Sequence, residues 1–154
     1  MRKTELAYTA GIVDGEGSIS IRRNKDKAYR AGFGYMISVD VANKEEWLIK
    51  WLNFAHGGST CLHRRKARWI ERNWQDYWSW QISGPQAAEF LRSILPHLNI
   101  KRPQAELAIK FQEEKEVRKS HRSFRYHPKT EEELAREEAQ VIVMQGMNQR
   151  GRRA

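Results

Sequence analysis

Two carboxylates stand among glycines in the segment YTAGIVDGEG, residues 8–17. Small and aliphatic residues precede them at helical spacing, so the pattern predicts a helix over residues 5–13 that ends near Asp14 and Gly15. Glu16 then follows the negative end of the helix dipole, where a carboxylate is disfavoured unless a cation offsets it. The segment therefore indicates a cation at this helix end, and carboxylate and carbonyl oxygens are ligands that suit Mg²⁺.

Ala7, Gly11 and Gly15 are spaced one helical turn apart and form a smooth stripe on the same helix. Small residues along one stripe let two helix backbones approach closely. The neighbour is either another helix of the same chain or the same helix of a second subunit, related by a two-fold axis. In the second case two Glu16 carboxylates meet at the axis. Metal ions held there about 4 Å apart could clamp the attacking and leaving oxygens of a phosphodiester.

The rest of the chain predicts pairs of strands separated by single helices. Strands are expected over residues 18–21, 33–41, 60–70 and 76–82, and helices over residues 44–55, 84–95, from about 103 onward, and 130–144. Trp47 and Trp51 lie four apart on the second helix and are expected in the core. The order αββαββα predicts an α+β fold in which helices cover one face of an antiparallel sheet.

The segment KEVRKSHRSFRYH, residues 115–127, is basic and almost without aliphatic side chains. It predicts a linker or an arm, because few of its residues can bury apolar surface. We therefore expect a core over residues 1–114 and a basic arm with a C-terminal helix and tail over residues 115–154.

The composition favours a polyanionic partner inside the cell. The formal net charge is +9, from 28 Lys and Arg against 19 Asp and Glu. Cys61 is the only cysteine, which excludes an internal disulfide and a CxxC metal pair. No apolar run approaches the roughly 20 residues that cross a bilayer. These features predict a soluble, intracellular protein, in the cytoplasm or an organelle, with no membrane contact.

The segment TAGIVDGEG, residues 9–17, resembles the signature of the LAGLIDADG homing endonucleases. The matching residues are Ala10, Gly11, Asp14 and Gly17, and the departures are Thr9, Gly15 and Glu16. The later segment LNIKRPQAEL is similar to the family's approach to its last core helix, so the resemblance covers roughly residues 4–111. It implies the family's αββαββα fold with a saddle-shaped antiparallel sheet, and a homodimer with one motif in each subunit.

The resemblance also implies roles for residues near the motif. Glu16 would be the metal-binding acid, and Gly15 would offer its carbonyl to the same metal. Asp14 would cap or orient the paired helix ends. Lys101 corresponds to a lysine near the active site that orders water or stabilises phosphate charge, and Asn43 to a polar position that organises solvent near the metal. The implied cofactor is Mg²⁺, with Mn²⁺ or Ca²⁺ as substitutes for binding.

In this architecture the sheet lies over the major groove of DNA, and one strand face reaches the base edges. Strand alternation predicts the DNA-facing residues as Ser20, Arg22, Asn24, Met36, Ser38, Asp40, His63, Arg65, Asp76 and Trp78. Arg22 and Arg65 would read guanine, whereas Asp40 and Asp76 would accept from cytosine. A shift of one residue in register would turn each side chain to the other face.

The sequence thus favours a homodimeric, Mg²⁺-dependent endonuclease that cuts both strands of a long, nearly palindromic DNA site. The dimer would form through the helix that carries Ala7, Gly11 and Gly15. One alternative is an intron RNA-splicing maturase on the same fold, since the basic arm suits RNA equally. Another is a DNA-binding regulator without catalysis, in which the acids at the dimer axis would have no purpose.

Overall fold

The computed structural model describes residues 2–25, 32–64, 75–121 and 129–149 of the chain. Its helices and strands, in chain order, are α1 (Lys3–Glu16), β1 (Gly17–Lys25), β2 (Phe33–Asn43), α2 (Glu46–His56), β3 (Ser59–His63), β4 (Tyr77–Ser83), α3 (Gly84–Ile94), α4 (Arg102–His121) and α5 (Glu131–Gln149). A short 3₁₀ helix, Leu95–His97, follows α3. The predicted order αββαββα is confirmed from α1 to α3.

The described strands form one open antiparallel sheet in the order β1-β2-β4-β3. One face of this sheet packs on the helices and supplies the apolar centre of the core. The buried side chains on it are Ile19, Ile21, Tyr35, Ile37, Val39, Val41, Trp80 and Ile82. The other face carries more polar side chains. The predicted α+β class, with helices on one side of an antiparallel sheet, is therefore confirmed.

Gly17 makes the direct passage from α1 into β1 possible. A Cβ atom at this position would lie 2.7 Å from the carbonyl oxygen of Val13, which is too close for any other residue. The amide of Gly17 also donates a hydrogen bond to that carbonyl. Because α1 passes into β1 without a loop, Glu16 sits at a rigid junction between the helix and the sheet.

Helix α2 is rotated relative to the prediction. Its buried residues are Leu48, Ile49 and Leu52. Trp51 is half-buried against the core, but Trp47 is 59% exposed, so the expectation that Trp47 lies in the core is wrong. The aliphatic residues determine the buried stripe here, and it is centred one position after the tryptophans.

Residues 115–121, predicted as part of a linker or an arm, are not a linker, because they form the last two turns of α4. Lys115 is buried, and its ammonium donates to the carbonyl of Tyr35 at 2.6 Å. Arg118 pairs with the buried Glu137 of α5 at 2.5 Å. Long basic side chains cover apolar surface with their stems, so a segment with few aliphatic residues can still pack on a core.

Helix α5 belongs to the same packed unit. Val141 and Met144 are buried in the core cluster that includes the strands. The side-chain amide of Asn148 donates to the carbonyl of Ile19, on the outer strand β1, at 2.9 Å. A helix that covers an edge strand blocks pairing with other chains at that edge. None of the helices in the described ranges is long and apolar enough to span a membrane.

Candidate functional site

Asp14 anchors the end of α1 to the segment that leads into α4. Its two carboxylate oxygens accept backbone amides, Oδ2 from Asn99 at 2.8 Å and Oδ1 from Lys101 at 2.9 Å. Burial alone would raise the pKa of Asp14, but these hydrogen bonds, one from Ile100 and the charge of Lys101 together hold the pKa below its usual value. Asp14 therefore connects the end of α1 to the segment that precedes α4.

The ammonium of Lys101 binds carbonyl oxygens at the C-terminal end of α1. It donates to the carbonyl of Val13 at 3.0 Å and to the carbonyl of Asp14 at 2.5 Å. Burial lowers the pKa of Lys101, and the nearby Asp14 carboxylate partly opposes this change. A cation at this end offsets the negative pole of the helix dipole. The Lys101 ammonium therefore has two carbonyls at the end of α1 as its partners.

Glu16 and Asn43, 27 residues apart in sequence, meet at the same end of the helix. The side-chain amide of Asn43 donates to Oε2 of Glu16. The amide oxygen of Asn43 accepts the backbone amide of Glu45 at 2.8 Å, just before α2. Asn43 is therefore held by the start of α2 and in turn holds Glu16. Glu16 is exposed, and Oε1 has no partner among the described residues.

The outer face of α1 is open. Ala7, Gly11 and Gly15 are all exposed, and a Cβ atom at either glycine would meet no atom within 4 Å. In the described part of the chain no helix fills the groove along this stripe. Of the two alternatives that the spacing allowed, the intrachain neighbour is therefore wrong for these residues.

The open face of the sheet carries most of the residues predicted to face DNA. In the register of β1 and β2, Ser20 lies opposite Ser38, Arg22 opposite Met36, and Asn24 opposite Gly34, while Asp40 lies opposite Ser18. His63 lies on the same face, opposite Tyr77. Alternation thus predicted the faces of β1 and β2 correctly.

The face of Trp78 was predicted wrongly. Trp78 pairs with Leu62 of β3 and shares the helix-packed face with Trp80 and Ile82, so it does not belong to the open face. Alternation from the buried Trp80 would have selected Tyr77, Ser79 and Gln81 instead, and these residues line the open face with Cys61 and Ser59 of β3. Asp76 is exposed and precedes β4, and Arg65 lies outside the described residues.

A chain of hydrogen bonds and a stacked ring pair organise the open face. The guanidinium of Arg22 pairs with Asp40 at 2.6 Å, and the side-chain amide of Gln81 donates to the same carboxylate at 2.8 Å. The rings of His63 and Tyr77 stack with their centroids 4.6 Å apart, and Nε2 of His63 lies 2.8 Å from the hydroxyl of Ser79. This face is therefore polar, shallow and internally ordered.

Solved structures with the same architecture are homing endonucleases. The homing endonuclease I-CvuI in complex with its target has a TM-score of 0.69 and 18% identity, with 94% of this chain and 82% of that chain covered. The archaeal intron-encoded homing endonuclease I-Vdi141I complexed with DNA has a TM-score of 0.60 and 10% identity, covering 94% of this chain and 97% of that one. The meganuclease I-SmaMI, a LAGLIDADG homing endonuclease, has a TM-score of 0.65 and 14% identity, and the match covers 44% of that chain.

No protein-family model and no curated protein sequence matches the chain. At the identities found, similarity to solved structures establishes the fold. The chain therefore has the fold of the LAGLIDADG homing endonucleases, and the resemblance seen in residues 9–17 is confirmed at that level.

Proposed function

We propose that the chain is a site-specific homing endonuclease that makes double-strand breaks in a long, nearly palindromic DNA site by Mg²⁺-dependent phosphodiester hydrolysis. The observation that carries this proposal is the exposed Glu16 carboxylate at the end of α1, oriented by Asn43. The polar open face of the sheet, and a fold whose solved examples include DNA complexes, support the same function. Such an enzyme works inside the cell, where its DNA is.

The active form in this proposal is a homodimer joined through the stripe of Ala7, Gly11 and Gly15. The stripe is exposed and sterically open, which supports close pairing with the same helix of a second copy. Pairing about a two-fold axis brings two Glu16 carboxylates together, one from each copy. In the described residues one chain alone has no group of three or more His, Cys, Asp or Glu that could hold a metal ion. In the dimer the second copy supplies the second acid, its own Glu16.

The residues at this end of α1 fit a hard divalent cation. Glu16 keeps one carboxylate oxygen without a partner in the described chain, and the carbonyl of Gly15 is a second oxygen donor at the negative end of the helix dipole. Mg²⁺ bound there would help to activate a water molecule and to neutralise the charge that develops on the phosphate. Mn²⁺ or Ca²⁺ would replace it for binding.

The chain's own residues supply the positioning. Asn43 fixes the direction of the Glu16 carboxylate, and Lys101 and Asp14 fix the end of α1 that carries it. The net charge of +9 attracts the DNA backbone, and the open sheet face lies against base edges in the major groove. On a two-fold axis the two copies meet matching half-sites.

Replacing Glu16 with Gln tests the proposal. Glu16→Gln should lower the rate of Mg²⁺-dependent cleavage at least about 10²-fold, because the variant lacks the negative oxygen that holds the metal. Affinity for the duplex should change little, since contacts to phosphates dominate it. Cleavage is measured on gels and affinity by titration of a labelled duplex.

The matched control is Glu89→Gln, which makes the same charge change at an exposed position of α3. This control should cleave as the wild type does. Equal cleavage by Glu16→Gln and wild type would contradict the assignment of Glu16. Wild-type protein that binds intron RNA and leaves every DNA duplex intact would favour the maturase alternative.

A further inference from the structure

Asp40 is the centre of a hydrogen-bonded network on the open face of the sheet. Its Oδ2 accepts from Nη2 of Arg22 at 2.6 Å and from the hydroxyl of Ser38 at 2.9 Å. Its Oδ1 accepts from Nε2 of Gln81 at 2.8 Å. The network spans β1, β2 and β4, so it joins neighbouring strands at one place on this face.

The protons in the network determine how Gln81 is oriented. Ser38 gives its only hydroxyl proton to Asp40, so its oxygen accepts the second hydrogen bond from Nε2 of Gln81, at 3.1 Å. Both amide hydrogens of Gln81 are thereby used. The flipped amide would set its oxygen against the Asp40 carboxylate and is disfavoured. Gln81 consequently presents only its carbonyl oxygen, an acceptor, to a ligand.

Arg22 is oriented in the complementary way. Its Nε donates to the hydroxyl of Ser20 at 3.2 Å, and its Nη2 donates to Asp40. Nη1 has no acceptor among the described residues, and the Arg22 side chain remains 48% exposed. The guanidinium therefore presents donors to a ligand.

Donors and an acceptor held close together match the major-groove edge of a G·C base pair. Guanine offers the acceptors N7 and O6, and cytosine offers the N4 amino group as a donor beside them. We propose that Arg22 and Gln81 form one unit that reads a G·C pair in each half-site, and that Asp40 is the positioning residue of this unit. Asp40 is assigned to positioning and not to reading cytosine, because its carboxylate already accepts three hydrogen bonds, from Arg22, Ser38 and Gln81. This inference rests on the proposed binding of double-stranded DNA.

A binding selection tests the unit without requiring cleavage. The full-length wild type, with Ca²⁺ in place of Mg²⁺, is mixed with duplexes randomised at each position of the bound site, and the bound and free fractions are sequenced. The variants Arg22→Ala, Gln81→Ala and Asp40→Asn are treated in the same way. Asp40→Asn keeps the shape of the side chain but removes the charge that orders both neighbours. Thermal unfolding of each variant is recorded beside the selection.

The wild type should show a strong G·C preference at one position in each half-site. Arg22→Ala and Asp40→Asn should each reduce that preference about tenfold or more at the same position. Their double variant should lose little further, because the two residues act as a unit. Gln81→Ala should weaken the preference at the same base pair. The control Glu89→Gln, at an exposed position of α3 away from the sheet face, should leave that preference intact.

Two results would overturn the inference while leaving the proposed function in place. One is a wild type that selects a specific site, with Asp40→Asn altering a different position from Arg22→Ala, since Asp40 would then read its own base. The other is a specific wild type whose preferences are unchanged in Arg22→Ala or in Asp40→Asn. A wild type that selects no duplex at all would overturn both the inference and the proposed function.

Discussion

Asn43 connects the acid at the end of α1 to Glu45, the residue just before α2. It donates to Glu16 and accepts from the backbone of Glu45, so one amide side chain orients the carboxylate. Groups that orient metal ligands commonly contribute 10- to 100-fold to metal affinity or activity, as an order of magnitude. The single hydrogen bond from Asn43 to Glu16 is therefore expected to affect how tightly the proposed site binds its metal.

Asn43→Ala should raise the Mg²⁺ concentration needed for half-maximal cleavage by about 10- to 100-fold. The carboxylate of Glu16 remains, but it is no longer held in one direction. Cleavage rates measured across a range of Mg²⁺ concentrations give this value directly. Thermal unfolding of the variant separates the effect from the loss of the hydrogen bond between Asn43 and the Glu45 amide. An unchanged Mg²⁺ dependence would show that Asn43 does not orient Glu16.

His56 makes folding stability depend on pH. Its ring packs edge-on against Phe90 with centroids 4.8 Å apart, and its Nε2 lies 3.2 Å from the hydroxyl of Thr9. That hydroxyl donates to the carbonyl of Glu5, so Nε2 of His56 carries the proton and donates to Thr9. Burial lowers the pKa of His56 from 6.5.

With a lowered pKa in the folded state, the unfolded chain takes up a proton at His56 that the folded chain does not. The resulting loss of stability is absent well above pH 6.5 and grows as the pH falls below that value. Urea unfolding at pH 7.5 and 5.5 should therefore show a larger loss of stability in the wild type than in His56→Gln. Equal losses in the two proteins would contradict this assignment.

At the scale of elements, α1 carries two functions on opposite faces. Thr9, Ala10 and Val13 are buried against the rest of the chain, whereas Gly11 and Gly15 face outward with open space around them. The inner face ties the helix to the fold. The outer face is the surface that we propose to pair with a second copy.

Gly11→Leu should abolish dimerisation and cleavage while leaving the fold of each subunit intact. A side chain at this position meets nothing in the single chain but would separate two paired helices. Within one subunit, replacing a helical glycine should stabilise α1 by about 0.5–1 kcal/mol. Sedimentation velocity measures the assembly, and circular dichroism measures the fold.

Gly146→Leu is the matched control, because Gly146 is also an exposed glycine of a helix, α5, with no atom near its Cβ position. It should dimerise and cleave as the wild type does. A Gly11→Leu protein that still forms an active dimer would exclude the outer face of α1 as the interface.

Strand faces could be predicted from sequence only where the alternation was clean. In β2 every second residue from Phe33 to Val41 is apolar, and the buried face follows directly. In β4 the aromatic residues Tyr77, Trp78 and Trp80 occupy both faces, so residue type does not reveal which side is buried. The structure resolves this because Trp80 donates its indole hydrogen to the carbonyl of Gly57, beneath the sheet, at 2.7 Å.

At the scale of the whole molecule, the motif and the order of elements were predictable, but the packing of the C-terminal part was not. Local patterns determine helices and strands, whereas the partners of charged residues are distant in sequence. Glu137 is buried because Arg118 and Lys129 neutralise it, and none of these residues carries an apolar signal. The network of Arg22, Asp40 and Gln81 likewise joins separate strands, and composition alone cannot reveal it.

The proposed enzyme depends on single residues, on secondary-structure elements and on the charge of the whole chain. One chain contributes one oriented acid, one polar sheet face and a positive charge of +9. Two copies would double each of these and align them with the two-fold symmetry of a nearly palindromic site. The central claim is that this assembly cuts both DNA strands in a Mg²⁺-dependent way.

Mapping the broken ends of DNA tests that claim most directly. The protein is incubated with a library of intron-insertion-site and randomised duplexes, once with Mg²⁺ and once with EDTA, and all new ends are sequenced. We predict cuts in both strands, only with Mg²⁺, at a fixed stagger about a nearly two-fold centre. Intact DNA under both conditions, from a protein that still binds DNA in a salt-sensitive way, would contradict the claim.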